Sequence, residues 1–80
     1  MKVRLVFPDK ARAKRARKEI EEIVTKILKE EFMGFYVYEV ILDPGDYREV
    51  DEIIGKHTSG RGSMETIDTY VSVGNESEEN

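Results

Sequence analysis

The sequence predicts a single α+β domain in which strands and helices alternate, and three observations carry that expectation. Apolar residues alternate with others in "KVRLVF", "MGFYVYEVIL" and "METIDTYVSV", the period of half-buried strands. Between these lie two stretches whose apolar residues recur every three or four positions, the spacing of one helical face. The chain has 80 residues, enough for one small core and not for two.

In the first strand, Val3, Leu5 and Phe7 point one way and Lys2, Arg4 and Val6 the other. Pro8 fits a first helical turn, and Asp9 puts an anion at the positive end of the helix dipole. Along the helix that follows, Ala13, Ala16, Ile20, Ile23, Val24 and Ile27 share a face, and the small alanines let it lie close on a sheet. No Gly or Pro marks its end, so "TKILKEEF" reads as more helix or as a strand. In "MGFYVYEVIL", Tyr36, Tyr38, Val40 and Leu42 oppose Phe35, Val37, Glu39 and Ile41; the tyrosine face is assigned to the core, because the other would bury Glu39 without a partner. "DPGD" is a turn, and Asp46 with Glu49 forms a capping-box-like start to a second helix running to Lys56 or His57 and burying Val50, Ile53 and Ile54. Ile67, Thr69, Val71 and Val73 alternate in the last strand.

If "KILKEEF" is a strand, the order is a ferredoxin-like βαββαβ, an antiparallel sheet with two helices on one face and Met33 and Gly34 as a hairpin turn. The alternative is βαβαβ with a longer first helix. The domain is assigned to residues 1–74, and the polar, acidic residues 75–80, "NESEEN", to a disordered tail.

Absence of cysteine excludes disulfides and thiolate metal clips and fits a reducing, cytoplasmic setting. No apolar run is long enough to span a membrane, and "MKVRLVFPDK" lacks the apolar centre of a signal peptide. The formal net charge of −4 argues against nucleic acid only as an average. Residues 1–18 carry Lys2, Arg4, Lys10, Arg12, Lys14, Arg15, Arg17 and Lys18 against one acid, Asp9, a local balance of +7.

Several stretches together resemble the C-terminal domain of the Shwachman-Bodian-Diamond syndrome protein family of ribosome maturation factors: "VRLVFP" opening a basic helix, "KEEF" before a short turn, "GFYVYEVILDPGD", and an acidic helix ending in "HTSG". "TSGRGSMETIDTY" is also similar to the end of the fifth domain of translation elongation factor G. The resemblance covers most of residues 2–73 and implies the ferredoxin-like order, with a strand near Ile27 to Phe32. The maturation factors carry two further domains ahead of this one, so what carries over is docking on a ribosomal or RNA-rich surface rather than whole-factor activity. "ARAKRARKEI" departs from the family, which tends to a less basic stretch there.

The most informative candidate site is "KARAKRARK", Lys10 to Lys18. As a solvated helix face it would be partly neutralised by Arg15 with Glu19, Arg17 with Glu21 and Lys18 with Glu22, each four apart. Yet its cations sit in the early turns, opposite to the dipole's preference, and such a cluster is the electrostatic footprint of polyanion binding. The nucleic-acid-binding residues are therefore assigned as Lys2, Arg4, Lys10, Arg12, Lys14, Arg15, Arg17, Lys18 and Arg61. "HTSGRGSMET" reads mainly as the bend after the second helix: Gly60 accepts a positive φ, Gly62 frees the next turn, and Thr58 or Ser59 bonds a helix-end carbonyl. A phosphate cradle would need a helix N-terminus instead. Arg61 stands at its tip.

No catalytic residue, metal site or cofactor is assigned. His57 at a helix C-terminus is a dipole-compatible cap; Asp43, Asp46, Asp51 and Glu52 belong to a turn and a solvated face; Ser59 and Ser63 lack a base. The reading is thus a non-enzymatic, RNA- or ribosome-associated domain whose basic helix contacts phosphates of ribosomal RNA. The alternatives are a protein-interaction module, in which the acidic second helix and the open sheet face with Phe35, Val37 and Ile41 seat a partner, and an accessory subunit of a larger ribosome-associated factor.

Overall fold

The structure, a computed structural model, describes residues 1–67. Strand β1 (Lys2–Phe7) is followed by helix α1 (Lys10–Ile20), strands β2 (Lys26–Phe32) and β3 (Tyr36–Ile41), a 3-10 turn (Pro44–Asp46), helix α2 (Tyr47–Thr58) and strand β4 (Ser63–Thr66). The sheet order is β2-β3-β1-β4, every neighbouring pair antiparallel, and both helices contribute to one core against the same side of the sheet. This is the ferredoxin-like arrangement. The positions Thr69, Val71 and Val73 assigned to the last strand, the domain end at residue 74 and the acidic stretch 75–80 lie outside the described residues.

Side-chain alternation is what fixes the core. Val3, Leu5 and Phe7 from β1 meet Tyr36, Tyr38 and Val40 from β3, with Leu42 just beyond it, and all are buried. Ala13, Ala16 and Ile20 close the layer from α1, and Val50, Ile53 and Ile54 from α2. Phe7 and Tyr36 each present an edge-to-face contact to Tyr38, with ring centroids 5.8 and 5.5 Å away.

Four local expectations are corrected. Pro8 lies outside α1; Asp9 is the N-cap, its Oδ1 accepting from the Arg12 backbone N–H at 2.8 Å, so the Asp9 carboxyl is held below its usual range, first by that bond and then by the Arg12 side chain. The three-to-four spacing of Ile23, Val24 and Ile27 does not continue the helix: α1 ends at Ile20, Ile23 and Val24 pack on the core from the following turn, and Ile27 does so from β2. The β2–β3 hairpin uses three residues, Met33, Gly34 and Phe35, with Gly34 at φ +84° and Met33 N–H donating to the Phe35 carbonyl, so Phe35 belongs to the turn. No capping box forms at Asp46; Asp43 instead caps the 3-10 turn by accepting from Gly45 N–H, and α2 extends one residue further than expected, to Thr58.

Strand β2 carries a bulge. Ile27 pairs with Val40 and Lys29 with Glu39, which leaves Leu28 as the extra residue. Beyond it the alternation is shifted by one, so Glu30 and Phe32, opposite Tyr38 and Tyr36, come to the helix side of the sheet.

The stretch after α2 is a helix stop. Ser59 (φ 55°) and Gly60 (φ +79°) are left-handed, and both N–H groups reach the Gly55 carbonyl. Thr58, fully buried, donates its hydroxyl to the Ile54 carbonyl at 2.7 Å and accepts from Gly62 N–H at 2.9 Å. Gly62 is needed for space rather than for turn freedom. A Cβ there would lie 2.5 Å from Ile54 Cγ2 and 2.9 Å from the Val6 carbonyl oxygen.

Candidate nucleic-acid interface

Helix α1 sorts its charges by direction. With Ala13, Ala16 and Ile20 facing the core, Ala11, Lys14, Arg15 and Lys18 project outward at the spacing of one helical stripe and are exposed. One flank faces α2, where Glu19 accepts from Lys56 Nζ at 2.8 Å and from the His57 ring. Those two bonds, Lys56 first, hold the Glu19 carboxyl below its usual range. His57, a basic residue in the last turn of α2 as expected, is thus also half of an interhelical contact. The other flank faces β2, where Glu30 receives Lys14 Nζ at 3.1 Å, Arg17 Nη1 at 2.7 Å and the Tyr36 hydroxyl at 3.2 Å.

Glu30 is the node that sequence reasoning passes over. Burial alone would raise its carboxyl, but Lys14, Arg17 and Tyr36 together outweigh that and keep it below the ordinary glutamate value. Beside it, Tyr38 is pushed up to about 12, by burial first and then by the Glu30 charge, so it stays neutral; its hydroxyl has no hydrogen-bond partner among the described residues. Arg17 lies 5.9 Å from the Tyr38 ring centroid, and Lys14 5.9 Å from that of Tyr36. A carboxyl with a depressed folded pKa stabilises the fold above its unfolded pKa and loses that contribution as pH falls through the folded value. Wild-type protein is thus expected to lose stability more steeply than Glu30→Gln below the ordinary carboxylate range, read as urea-unfolding midpoints at stepped pH.

Of the three helical pairs expected, only Arg17 with Glu21 forms, at 3.4 Å, and Arg17 shares itself with Glu30. Glu19 turns to α2 instead of Arg15. Arg12 is tied to the Asp9 carboxylate. Lys10 and Lys18 have no partner among the described residues, and Arg15 acts only at a distance on Asp9. The predicted cluster therefore divides: Lys10, Arg15 and Lys18 are uncommitted, Lys14 is exposed but bonded, and Arg12 and Arg17 serve the fold.

Lys2 and Arg4 stand apart from this stripe, on the side of the sheet away from the helices. There the register aligns Lys29, Glu39, Arg4 and Glu65 in one row across all four strands, with alternating sign. Arg4 bridges Glu39 at 3.3 Å and Glu65 at 3.6 Å. This row interrupts the apolar stripe expected on that face: Val37 is itself buried among its neighbours, and Phe35 joins Met33 at one end of a shallow hollow that Val6 and Val37 also line. Arg61 folds back so that Nε donates to the Thr58 carbonyl at 3.3 Å, a cation on a helix C-terminus. Among the described residues no three His, Asp or Glu side chains converge as a metal site would require, and no helix is long and apolar enough to cross a membrane.

The comparisons with known proteins agree with the architecture. Residues 1–69 match the family described as "SBDS protein, C-terminal domain". Ribosome maturation protein SBDS from Mus musculus is 30% identical over 67 residues, covering 84% of this chain, and that from Bos taurus is 31% identical over the same span. The Dictyostelium discoideum protein is 33% identical over 72 residues, 89% of this chain. In each case the match takes in 26% of the relative, so this chain corresponds to about a quarter of those proteins. With the family match running from the first strand through β4, and the ferredoxin-like order in place, this chain belongs to the SBDS C-terminal domain family.

Proposed function

We propose that this chain is a non-enzymatic, ribosome-associated domain, acting in the cytoplasm, that lays the outward stripe of α1 on the phosphates of ribosomal RNA without reading sequence. The observation that carries the reading is the set of uncommitted, exposed cations Lys10, Arg15 and Lys18 on α1, beside Lys14, which is exposed but bonded to Glu30. Uncommitted cations held on one short helix repel one another, and a polyanion relieves that repulsion while releasing counterions from the RNA. The relatives' name, ribosome maturation protein, supports a ribosomal surface as the source of those phosphates. Contacts of this sort position a protein and carry no base specificity. Arg12 and Arg17 back the stripe from its flanks. Arg61 lies near the end of β1 from which α1 begins, and Lys2 and Arg4 would meet only a polyanion that wraps round the sheet edge.

The test is a salt titration of binding to ribosomal RNA. Changing Lys10, Arg15 and Lys18 together to Glu is expected to weaken binding at every salt concentration and to lower the slope of log affinity against log salt by about 3, roughly one per phosphate contact. Arg48→Glu, an exposed cation on α2, is the matched control and is expected to change little. An unaltered slope in the triple variant would remove the reading.

A further inference from the structure

On the footing of the RNA-binding reading above, we propose that Phe32 is a stacking platform for one unpaired nucleobase beside the cations of α1, so that the domain takes single-stranded or bulged RNA in preference to continuous duplex.

The bulge at Leu28 puts Phe32 on the helix side of the sheet, on an edge strand, where 65% of it remains exposed. Its ring leans on Tyr36 at a centroid distance of 6.3 Å and an interplanar angle of 43°, which supports the ring while most of it stays in water. Lys14 Nζ lies over that same Tyr36 ring, so an exposed aromatic face and an exposed cation flank one side chain. The carboxylate between them, Glu30, would repel RNA if free, but it is held by Lys14, Arg17 and the Tyr36 hydroxyl. Phe32 also stands at the same end of the sheet as the start of α1: it pairs opposite Tyr36, which pairs opposite Phe7, three residues before Lys10.

This combination fits a nucleic acid with an available base. A phenyl ring stacks on any base that has left its helix, whereas bases inside a duplex present no face to it. An apolar protein surface would make no use of the flanking cations. It would also find the other exposed apolar residues of the hairpin elsewhere, since Met33 and Phe35 line the hollow on the opposite side of the sheet.

Fluorescence anisotropy with a short labelled single-stranded RNA and a duplex of the same sequence tests this on the whole chain. Wild type is expected to favour the single strand. Phe32→Ala, an exposed substitution that leaves the fold intact by circular dichroism, is expected to lose about 5- to 100-fold on the single strand, with duplex binding and the salt slope unchanged. Phe32→Trp is expected to restore binding. If Phe32→Ala binds the single strand like wild type while the triple α1 variant still loses affinity, stacking is wrong and phosphate contact survives. If Phe32→Leu binds as tightly as wild type, apolar area rather than a π-face is what matters, and the proposal is overturned, as it is by equal losses on both RNAs. Failure of wild type to bind either RNA would remove the phosphate reading and this one together.

Discussion

Phe7→Ala is expected to cost about 3–5 kcal/mol, more than any change on the surface of the domain. Phe7 is fully buried, meets Tyr38 edge-on, and sits where β1 hands over to α1. Removing it deletes the apolar transfer term and leaves a cavity that two flanking β-strands cannot collapse to fill. A domain of 80 residues has only about 4–12 kcal/mol of total stability, so the variant forfeits a large share of it. Thermal melting followed by far-ultraviolet circular dichroism reads this directly. A melting midpoint within a few degrees of wild type would mean that the aromatic layer of Phe7, Tyr36 and Tyr38 is not the centre of the core.

Gly62→Ala is expected to destabilise by about 1–3 kcal/mol despite adding a single methyl group. The new Cβ would meet Ile54 Cγ2, the Val6 carbonyl oxygen and Thr58 Cγ2 at 2.5, 2.9 and 3.2 Å. Ile54 and Thr58 are buried on α2, and the Val6 oxygen belongs to the backbone of β1, so none can step aside cheaply. Relief requires β4 to lift from α2, which would stretch the Gly62 N–H bond to Thr58 Oγ1. Gly55→Ala is the internal contrast. A Cβ there meets nothing within 4 Å in the middle of α2, and the substitution is expected to stabilise by about 0.5–1 kcal/mol. Urea midpoints for the two variants should therefore move in opposite directions; movement in the same direction would refute the packing argument.

The core was legible in the sequence wherever one period governed a whole element. Val3, Leu5 and Phe7, the tyrosine face of β3, and Ile53 and Ile54 each follow a single periodicity to the place where they are buried. Legibility failed where two periods overlap. Ile20, Ile23, Val24 and Ile27 keep helical spacing across the end of α1 because a turn and the start of β2 also need apolar residues on the core side, and only the family resemblance favoured a strand there. The candidate site was half legible for a related reason. Sequence spacing identifies partners within a helix, but Glu19 and Glu30 are claimed by residues 37 or 38 and 13 or 16 positions away, and those contacts depend on how α2 and β2 lie against α1. Phe32 was unreadable in principle, because its side of the sheet is set by the bulge.

Because Leu28 is surplus to the ladder between β2 and β3, this edge of the domain holds one residue of slack. A chain shortened by one position near Leu28 can close the same pairing as a regular strand, with Glu30 still beneath Lys14 and Arg17 and Phe32 still against Tyr36. A lengthened one must find a second irregularity or reverse every side chain from there to the hairpin. The arrangement around Glu30 is thus insulated against contraction of the chain and exposed to its expansion.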